Sequence, residues 1–168
     1  GHSEDPINGW DFLKQAYTAT NPSYRGRVTV PVLWDKQTGR IVSNVDEDIM
    51  RMLNAAFDDY TDSDLNLTPA GLLTEIDRVN DFIYPNVNDG VYRCGFTSAQ
   101  HVYEAAVTAL FDALDKLEER LSTQRYLVGN AITDADWRLF PTLIRFDAVY
   151  HGHFKCNIRR VIDYPNLH

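Results

Sequence analysis

Residues 27–34 read RVTVPVLW, a run of β-branched and aromatic residues with a proline in its middle, and residues 40–43 (RIVS) follow after a turn at Asp35–Gly39. Proline has no N–H to donate, so it is confined to strand edges, bulges and first positions. Two explanations stay open: an ordinary edge strand, or a cis peptide bond between Val30 and Pro31. A cis bond would leave the backbone N–H and C=O of Val30 free to pair with a peptide-like ligand.

The composition narrows the function classes. The 168 residues are enough for one domain or two small ones, with a net charge of −8 and no basic cluster longer than Arg159-Arg160. This argues against nucleic acids and anionic membranes as partners, because such binding needs clustered cations. We find no apolar run long enough to span a membrane and no signal peptide. Cys94 and Cys156 lie far apart, which suits a reducing compartment and predicts a cytoplasmic protein.

The first part of the chain mixes helix and strand signals. We predict a short helix at residues 12–20, the two strands, and a helix at residues 45–57 that begins with a capping box of Asn44 and Glu47. The acidic, polar residues 58–66 then predict a linker. These signals indicate a mixed domain at residues 1–60.

Everything after the linker reads as helix. Thr68-Pro69 is typical of a helix start, and Thr97 or Ser98 begins the longest predicted helix. Thr133 with Asp136 forms a capping box for a helix that we predict to run to about Tyr150, with a kink at Pro141. Apolar residues repeat along one side of two of these helices, at Leu72, Ile76, Val79 and Ile83 and at Tyr103, Val107, Leu110, Leu114, Leu117 and Leu121. The pattern predicts an all-helical domain at residues 61–168.

Six segments together carry a resemblance to a known family: residues 27–35 (RVTVPVLWD), 41–44 (IVSN), 88–92 (NDGVY), 126–129 (YLVG), 133–139 (TDADWRL) and 145–156 (RFDAVYHGHFKC). They resemble the glutathionyl-hydroquinone reductases, the xi class of the glutathione transferase superfamily. The resemblance implies an α+β fold, in which a partial thioredoxin-like, thiol-binding domain precedes an all-α glutathione transferase C-terminal domain. It also implies a homodimer.

The implied reaction is a two-step thiol exchange. In the family, a nucleophilic cysteine attacks a glutathionyl-hydroquinone, releases the hydroquinone and leaves a mixed disulfide that a second thiol resolves. That cysteine lies in a Cys-Pro-Trp-Ala motif, which this sequence lacks, and neither Cys94 nor Cys156 begins a helix after a strand. We therefore expect this chain to be part of a longer polypeptide and to be inactive in the exchange by itself.

The resemblance also implies the site residues. Val30, before Pro31, would pair its backbone with the cysteinyl unit of the thiol, with Arg27 and Val28 flanking that contact. Tyr92 matches a proton-donating tyrosine, since cleavage of an aryl thioether needs a proton delivered to the ring. Tyr150 matches a second tyrosine that would stabilise a thiolate. From spacing alone, either tyrosine also fits an amphipathic core residue with its hydroxyl at a wet edge.

Two positions depart from the family pattern. After Ser43-Asn44 the family presents Glu-Ser, which binds the γ-glutamyl end of glutathione, but this chain has Val45 and Asp46. Asp46 at a helix N-terminus would favour an ammonium or sugar hydroxyls and repel a carboxylate. The cofactor is therefore either glutathione or another low-molecular-weight thiol, with mycothiol as one candidate.

Three other interpretations stay open. His151, His153 and Cys156 have a spacing that is found in zinc or copper sites, although no fourth ligand is evident. The four aspartates of residues 58–64 lack the glycine and glutamate of a calcium loop, which favours a solvated linker. The alternative function is a non-catalytic protein of the same fold that acts as a scaffold or ligand carrier, which the missing nucleophile favours.

Overall fold

The structure is a computed structural model that describes residues 4–168. The chain divides into two compact units, one ending at Leu65 and the other comprising Asn66–His168. In the part of the chain that is described, no helix combines the length and the apolarity needed to cross a bilayer.

The first unit combines short helices with one small antiparallel sheet. Its elements are α1 (Lys14–Thr20), β1 (Leu33–Asp35), β2 (Arg40–Ser43), α2 (Asp46–Ala55) and a 3₁₀ turn (Asp58–Tyr60). The two strands pair Trp34 with Ile41 and Asp35 with Arg40. The turn between them is closed by a bond from the Gly39 N–H to the Asp35 carbonyl, and Gly39 has a positive φ of 62°, which glycine adopts without strain.

The predicted strand at residues 27–34 is wrong in its extent, because only its last two residues lie in β1. The backbone before β1 is held by tyrosine hydroxyls instead of a strand ladder. The Tyr17 hydroxyl donates to the Thr29 carbonyl (2.8 Å) and accepts from the Thr29 N–H (3.3 Å), and the Tyr24 hydroxyl donates to the Arg27 carbonyl (2.6 Å). A β-branched sequence therefore adopts an irregular, anchored segment here.

The predicted capping box at the start of α2 is also wrong. Val45 occupies the cap position without a side-chain cap bond. The Asn44 amide donates to the Thr29 hydroxyl (3.3 Å), and Glu47 pairs with Arg51 along the helix (3.2 Å). Both side chains of the expected box thus have other partners.

The second unit is helical throughout. Its elements are α3 (Leu73–Ile83), a π-helical turn (Tyr84–Asn88), α4 (Gly90–Phe96), α5 (Gln100–Leu121), α6 (Asp134–Arg145), a second π-helical turn (Phe146–Tyr150), α7 (His151–His153) and a 3₁₀ turn (Val161–Asp163). The predicted apolar stripes are confirmed: the core contains Ile76, Val79 and Ile83 of α3 and Val107, Leu110, Leu114 and Leu117 of α5, with Leu72, Tyr103 and Leu121 packed against it.

Two predicted helix limits in this unit are wrong. Helix α3 begins at Leu73 and not at Thr68, because the Thr68 N–H bonds to the Asn66 side chain (2.9 Å) in a local turn that competes with the helix. Helix α6 ends at Arg145, where the hydrogen-bond spacing widens into the second π-helical turn before Tyr150.

The start of α6 confirms the predicted capping box. The Asp136 carboxylate accepts from the Thr133 N–H (2.8 Å), and its other oxygen accepts from the Leu127 N–H (2.8 Å). The buried Asp134 carboxylate accepts from Asn80 of α3 (3.0 Å) and pairs with Arg138 (3.1 Å). These bonds fix the first turn of α6 against α3 and the preceding loop.

A surface ion-pair network joins α3, α5 and the loop before α6. Glu75 accepts from Arg78 (2.6 Å) and Arg120 (2.7 Å), and Arg120 also donates to the Leu127 carbonyl (2.6 Å). The two guanidinium groups, Arg78 first, lower the pKa of Glu75 to about 2. The charge of Glu75 therefore stabilises the folded state above pH 4.5.

We predict that Glu75→Gln lowers the free energy of unfolding by about 1 kcal/mol at pH 7, the scale of a solvent-exposed ion pair. Because the pKa is lowered on folding, the deficit relative to wild type shrinks as the pH falls from 4.5 towards 2. Urea unfolding of both proteins at pH 7, 4 and 3 measures this difference in unfolding free energy. Glu104→Gln, at an exposed glutamate of α5 that accepts only from Gln100 in its own helix, is the control. A constant deficit at all three pH values would contradict the network.

Candidate functional site

The first candidate site element is the exposed backbone at Val30. The Val30–Pro31 peptide bond is cis, which confirms that prediction. Val30 is 78% exposed, and within the described residues neither its N–H nor its C=O makes a hydrogen bond. One free donor and one free acceptor on the same residue match the two ends of a peptide unit.

The predicted flanking residues differ in their exposure. Arg27 is exposed, and its guanidinium forms no ion pair with the described residues, whereas Val28 is half-buried. The Arg27 carbonyl accepts from Tyr24, and the two tyrosines that hold this segment, Tyr17 and Tyr24, have their rings in contact with centroids 4.8 Å apart and planes tilted by 40°. Sequence reasoning missed Tyr17 and Tyr24, since their contacts run from side chain to backbone over distances that no periodicity indicates.

The structure brings Val45 and Asp46 close to the Val30 segment. The Asn44 amide bonds to the hydroxyl of Thr29, and these two residues directly precede Val45 and Val30 in the chain. Val45 and Asp46 are exposed, and Asp46 is the first residue of α2. A ligand on the Val30 backbone thus finds a carboxylate and the positive end of a helix dipole nearby. We call Arg27, Val30, Pro31, Val45 and Asp46, for which the resemblance implies contact with a thiol, the thiol-binding edge.

The second element lies in the helical unit and joins the two predicted tyrosines. Tyr92 lies on α4 and Tyr150 ends the second π-helical turn, with their hydroxyl oxygens 3.4 Å apart and their rings at 62°. Tyr92 is 42% exposed, whereas Tyr150 is only 6% exposed. Tyr92 is therefore accessible from solvent, whereas Tyr150 is enclosed and contacts Tyr92 from the buried side.

Two phenylalanines extend this tyrosine pair into an aromatic cluster of Tyr92, Phe96, Tyr150 and Phe154. The Phe154 ring lies 5.3 Å from both tyrosine rings and 5.4 Å from Phe96. Gly95 makes this packing possible, because a Cβ there would lie 2.5 Å from the Phe154 ring. Phe96 is largely exposed, so the cluster presents an apolar surface beside the Tyr92 hydroxyl.

The environment of Tyr150 keeps it protonated. Burial, followed by the hydrogen bond with Tyr92, raises the pKa of Tyr150 to about 12, and the charge of Arg145 opposes this only in part. At neutral pH the side chain is therefore a neutral phenol, able to donate one hydrogen bond.

Neither cysteine fits the role of a nucleophile. Cys94 and Cys156 are both fully buried, and their thiols are hydrogen-bonded to each other. That bond lowers the pKa of Cys94, whereas the same bond and burial raise the pKa of Cys156. Both thiols are enclosed in the core, where a substrate does not reach them, in line with the expectation from their sequence positions.

His151, His153 and Cys156 do not form a metal site. Across residues 4–168, no three histidine, cysteine, aspartate or glutamate side chains come together as metal ligands would. Cys156 faces the core, where its sulfur lies 3.9 Å from the Val91 carbonyl.

Comparison with known proteins relates the chain to the glutathione transferases. The glutathione S-transferase C-terminal domain matches residues 100–168. The glutathionyl-hydroquinone reductase PcpF of Sphingobium chlorophenolicum is 56% identical over 163 residues, which are 97% of this chain and 52% of PcpF. The glutathionyl-hydroquinone reductase YqjG of Escherichia coli K12 is 48% identical over 168 residues, 100% of this chain and 51% of YqjG. The chain spans about half the length of these relatives.

Comparison with solved structures also relates the chain to the glutathione transferases. The glutathione-bound structure of YqjG superposes with a TM-score of 0.95 at 48% identity, covering 98% of this chain and 54% of that one. Glutathione transferase xi 1 from Trametes versicolor superposes with a TM-score of 0.93 at 50% identity, covering 99% and 59%. The predicted resemblance and the predicted fold class are confirmed. The comparisons do not support mycothiol.

The tyrosine contact gives a measurable prediction. Tyr92→Phe removes the hydrogen bond that raises the Tyr150 pKa, so this pKa falls from about 12 and stays above 10, because burial is the larger cause. A pH titration of ¹³Cζ-labelled tyrosine by NMR measures it, with Tyr150→Phe assigning the resonance. Tyr84→Phe, at an exposed tyrosine near α4, is the control and leaves the titration unchanged. An unchanged Tyr150 in Tyr92→Phe would contradict the contact.

Proposed function

We propose, because the chain resembles one half of the xi-class glutathione transferases over almost its whole length, that it belongs to a thiol-dependent reductase acting on glutathionyl-hydroquinones. The observation that carries the proposal is the 56% identity with a glutathionyl-hydroquinone reductase. Named reductases among the relatives do not favour the non-catalytic alternative. A homodimer stays a prediction from the resemblance, and a cytoplasmic location stays a prediction from the two cysteines.

Glutathione is the thiol that we propose for the thiol-binding edge. Two related proteins, YqjG and the xi transferase ECM4 from Saccharomyces cerevisiae, have solved structures with glutathione bound. In this chain, the free N–H and C=O of Val30 would pair with the cysteinyl unit. The Arg27 guanidinium would hold a carboxylate, and Asp46 would accept from the γ-glutamyl ammonium.

The tyrosine pair would supply the proton of the first step. A cysteine thiolate from outside this chain attacks the sulfur of the glutathionyl-hydroquinone and forms a mixed disulfide with glutathione. The electron pair of the broken carbon–sulfur bond stays on the ring, which must gain a proton to become the hydroquinone. The exposed Tyr92 would deliver that proton, and a second glutathione thiol would then resolve the mixed disulfide.

Tyr150 would assist Tyr92 in this step. The resemblance implies direct stabilisation of a thiolate by Tyr150, but its burial and its hydroxyl contact with Tyr92 support an indirect role. As Tyr92 loses its proton, Tyr150 donates a hydrogen bond to the developing phenolate and stabilises it. The aromatic surface of Phe96 and Phe154 would hold the hydroquinone ring beside Tyr92.

Thiol binding is testable on this chain alone. We predict that ¹⁵N-labelled protein titrated with glutathione shows shifts at the Val30 and Asp46 amides, and that Arg27→Gln weakens binding about fivefold, the scale of one exposed ionic contact. Arg25→Gln, at a neighbouring exposed arginine that donates to the Tyr24 carbonyl, is the control and leaves the affinity unchanged. Glutathione shifts confined to residues outside the thiol-binding edge would overturn the assignment.

The catalytic role is testable in a polypeptide that joins this chain to the Cys-Pro-Trp-Ala motif of the family. We predict that Tyr92→Phe lowers kcat for reduction of a glutathionyl-hydroquinone about 100-fold, the usual scale for loss of a general acid. The Kd for glutathione stays the same. Tyr84→Phe serves again as the matched exposed tyrosine. Full turnover of the Tyr92→Phe enzyme would assign Tyr92 to packing.

A further inference from the structure

One side-chain amide bridges the two segments that carry the tyrosine pair. Asn88, the last residue of the first π-helical turn, directs both hydrogens of its Nδ2 at α6. One is donated to the Arg138 carbonyl (3.0 Å) and the other to the Thr142 hydroxyl (2.7 Å). Thr142 is buried and Asn88 half-buried, so water does not replace these bonds easily.

The bridge meets α6 at a point where the helix is weakened. Pro141 lies inside α6 and has no N–H, so the helix lacks one of its own backbone bonds there. Four residues beyond Thr142, the helix passes into the second π-helical turn, which ends at Tyr150. Because the hydrogen bonds of a π-helical turn join residues five apart instead of four, the turn changes the direction in which later side chains point. Regular helix geometry therefore does not set the direction of Tyr150 by itself.

Regular helix geometry does not by itself set the direction of Tyr92 either. Asn88 closes the first π-helical turn, and Tyr92 follows it by four residues, about one turn along α4. One π-helical turn thus precedes Tyr92, and the other ends at Tyr150. With the two hydroxyl oxygens 3.4 Å apart, a small displacement of either segment would break the hydrogen bond.

We propose that Asn88 is a positioning residue, whose amide fixes α4 against α6 and thereby holds the Tyr92 hydroxyl within hydrogen-bond distance of the Tyr150 hydroxyl. The catalytic meaning of this contact rests on the proposed function, whereas the contact itself does not. Asn88 touches neither tyrosine hydroxyl and acts only through the two segments that it joins.

Asn86 offers a matched comparison in the same turn. Its amide donates to the Phe82 carbonyl (2.8 Å), within the segment that leads out of α3, and in the described part of the chain it makes no hydrogen bond to α6. An asparagine that bonds only to its own segment secures the local turn but not the distance between α4 and α6. Replacing each asparagine separately therefore distinguishes the effect of a disturbed local turn from the effect of a lost bridge between α4 and α6.

The test uses neutral substitutions, so that no new charge acts on Tyr150. Asn88→Leu removes both donors at similar size, and Thr142→Val removes one acceptor. Thr142→Ser keeps the hydroxyl, and Asn86→Leu is the matched control. None of these changes alters Tyr92, Arg145 or Cys156, the charged or titratable groups that act on Tyr150.

The readout is the Tyr150 pKa in the isolated chain, measured with ¹³Cζ-labelled tyrosine. In Asn88→Leu and Thr142→Val we expect it to fall by roughly half a pH unit or more, as in Tyr92→Phe, because the hydroxyl contact is lost. Thr142→Ser and Asn86→Leu keep the wild-type value. If Asn88→Leu fails to fold, the Tyr150 pKa in Thr142→Val tests the proposal instead. A wild-type Tyr150 pKa in folded Asn88→Leu or Thr142→Val overturns the proposal.

The activity of the joined polypeptide separates this proposal from the proposed function. If both hold, Asn88→Leu lowers kcat without changing the KM for glutathione, and Asn86→Leu retains full kcat. If Asn88→Leu shifts the Tyr150 pKa while Tyr92→Phe keeps full turnover, the positioning role stands and the proposed catalytic role of Tyr92 fails. If Tyr92→Phe lowers kcat and Asn88→Leu changes neither the pKa nor kcat, the positioning role fails alone.

Discussion

The helical unit depends on how the first turn of α6 is fixed. Asp136 satisfies the N–H of Thr133 and the N–H of Leu127 with its two oxygens, so the cap and the preceding loop share one carboxylate. The buried carboxylate of Asp134 is neutralised by Arg138 and hydrogen-bonded by Asn80, which ties the same turn to α3. A buried charge is tolerated only with such partners, and removing Arg138 would leave the Asp134 carboxylate in the core without an opposite charge. This first turn therefore fixes where α6 begins and the direction in which it leaves the preceding loop.

Regular secondary structure then gives way to irregular structure where the candidate chemistry begins. The backbone at Val30 lies outside the sheet, and Tyr92 and Tyr150 each follow or end a π-helical turn. Such turns have unfavourable hydrogen-bond geometry and recur at functional sites, where surrounding contacts stabilise them. Here the stabilising contacts are specific side chains: Tyr17 and Tyr24 for the segment at Val30, and Asn88 for the tyrosine pair.

The sequence was sufficient to predict the features that depend on local pattern. The stripe of α5 follows from its repeat, and the start of α6 follows from Thr133 with Asp136. The proline within a β-branched run left the cis Val30–Pro31 bond as one of two explanations, and the structure shows that bond. The capping box at Asn44 matched its pattern equally well and was wrong, because a partner 15 residues away, Thr29, takes the Asn44 amide.

Other features have no local signal. Periodicity reports which side of a helix is buried and not where its hydrogen-bond spacing widens, so the π-helical turns were not predictable. The hydroxyl contacts of Tyr17 and the bridge from Asn88 to Thr142 join residues 12 and 54 positions apart. The roles of Tyr92 and Tyr150 came from a family resemblance, and their contact became visible only in the structure.

The different roles proposed for Tyr92 and Tyr150 follow from their different burial. An exposed phenol reaches a substrate, but water competes for its hydrogen bonds and leaves its geometry variable. A buried phenol is well oriented but cannot touch the substrate. Tyr92 and Tyr150 combine the two properties, since the buried hydroxyl stays protonated at neutral pH and lies against the exposed one. Under the proposed function, proton transfer from Tyr92 is assisted by a donor that is already in place, so the Tyr150 hydroxyl does not have to reorganise as the phenolate forms.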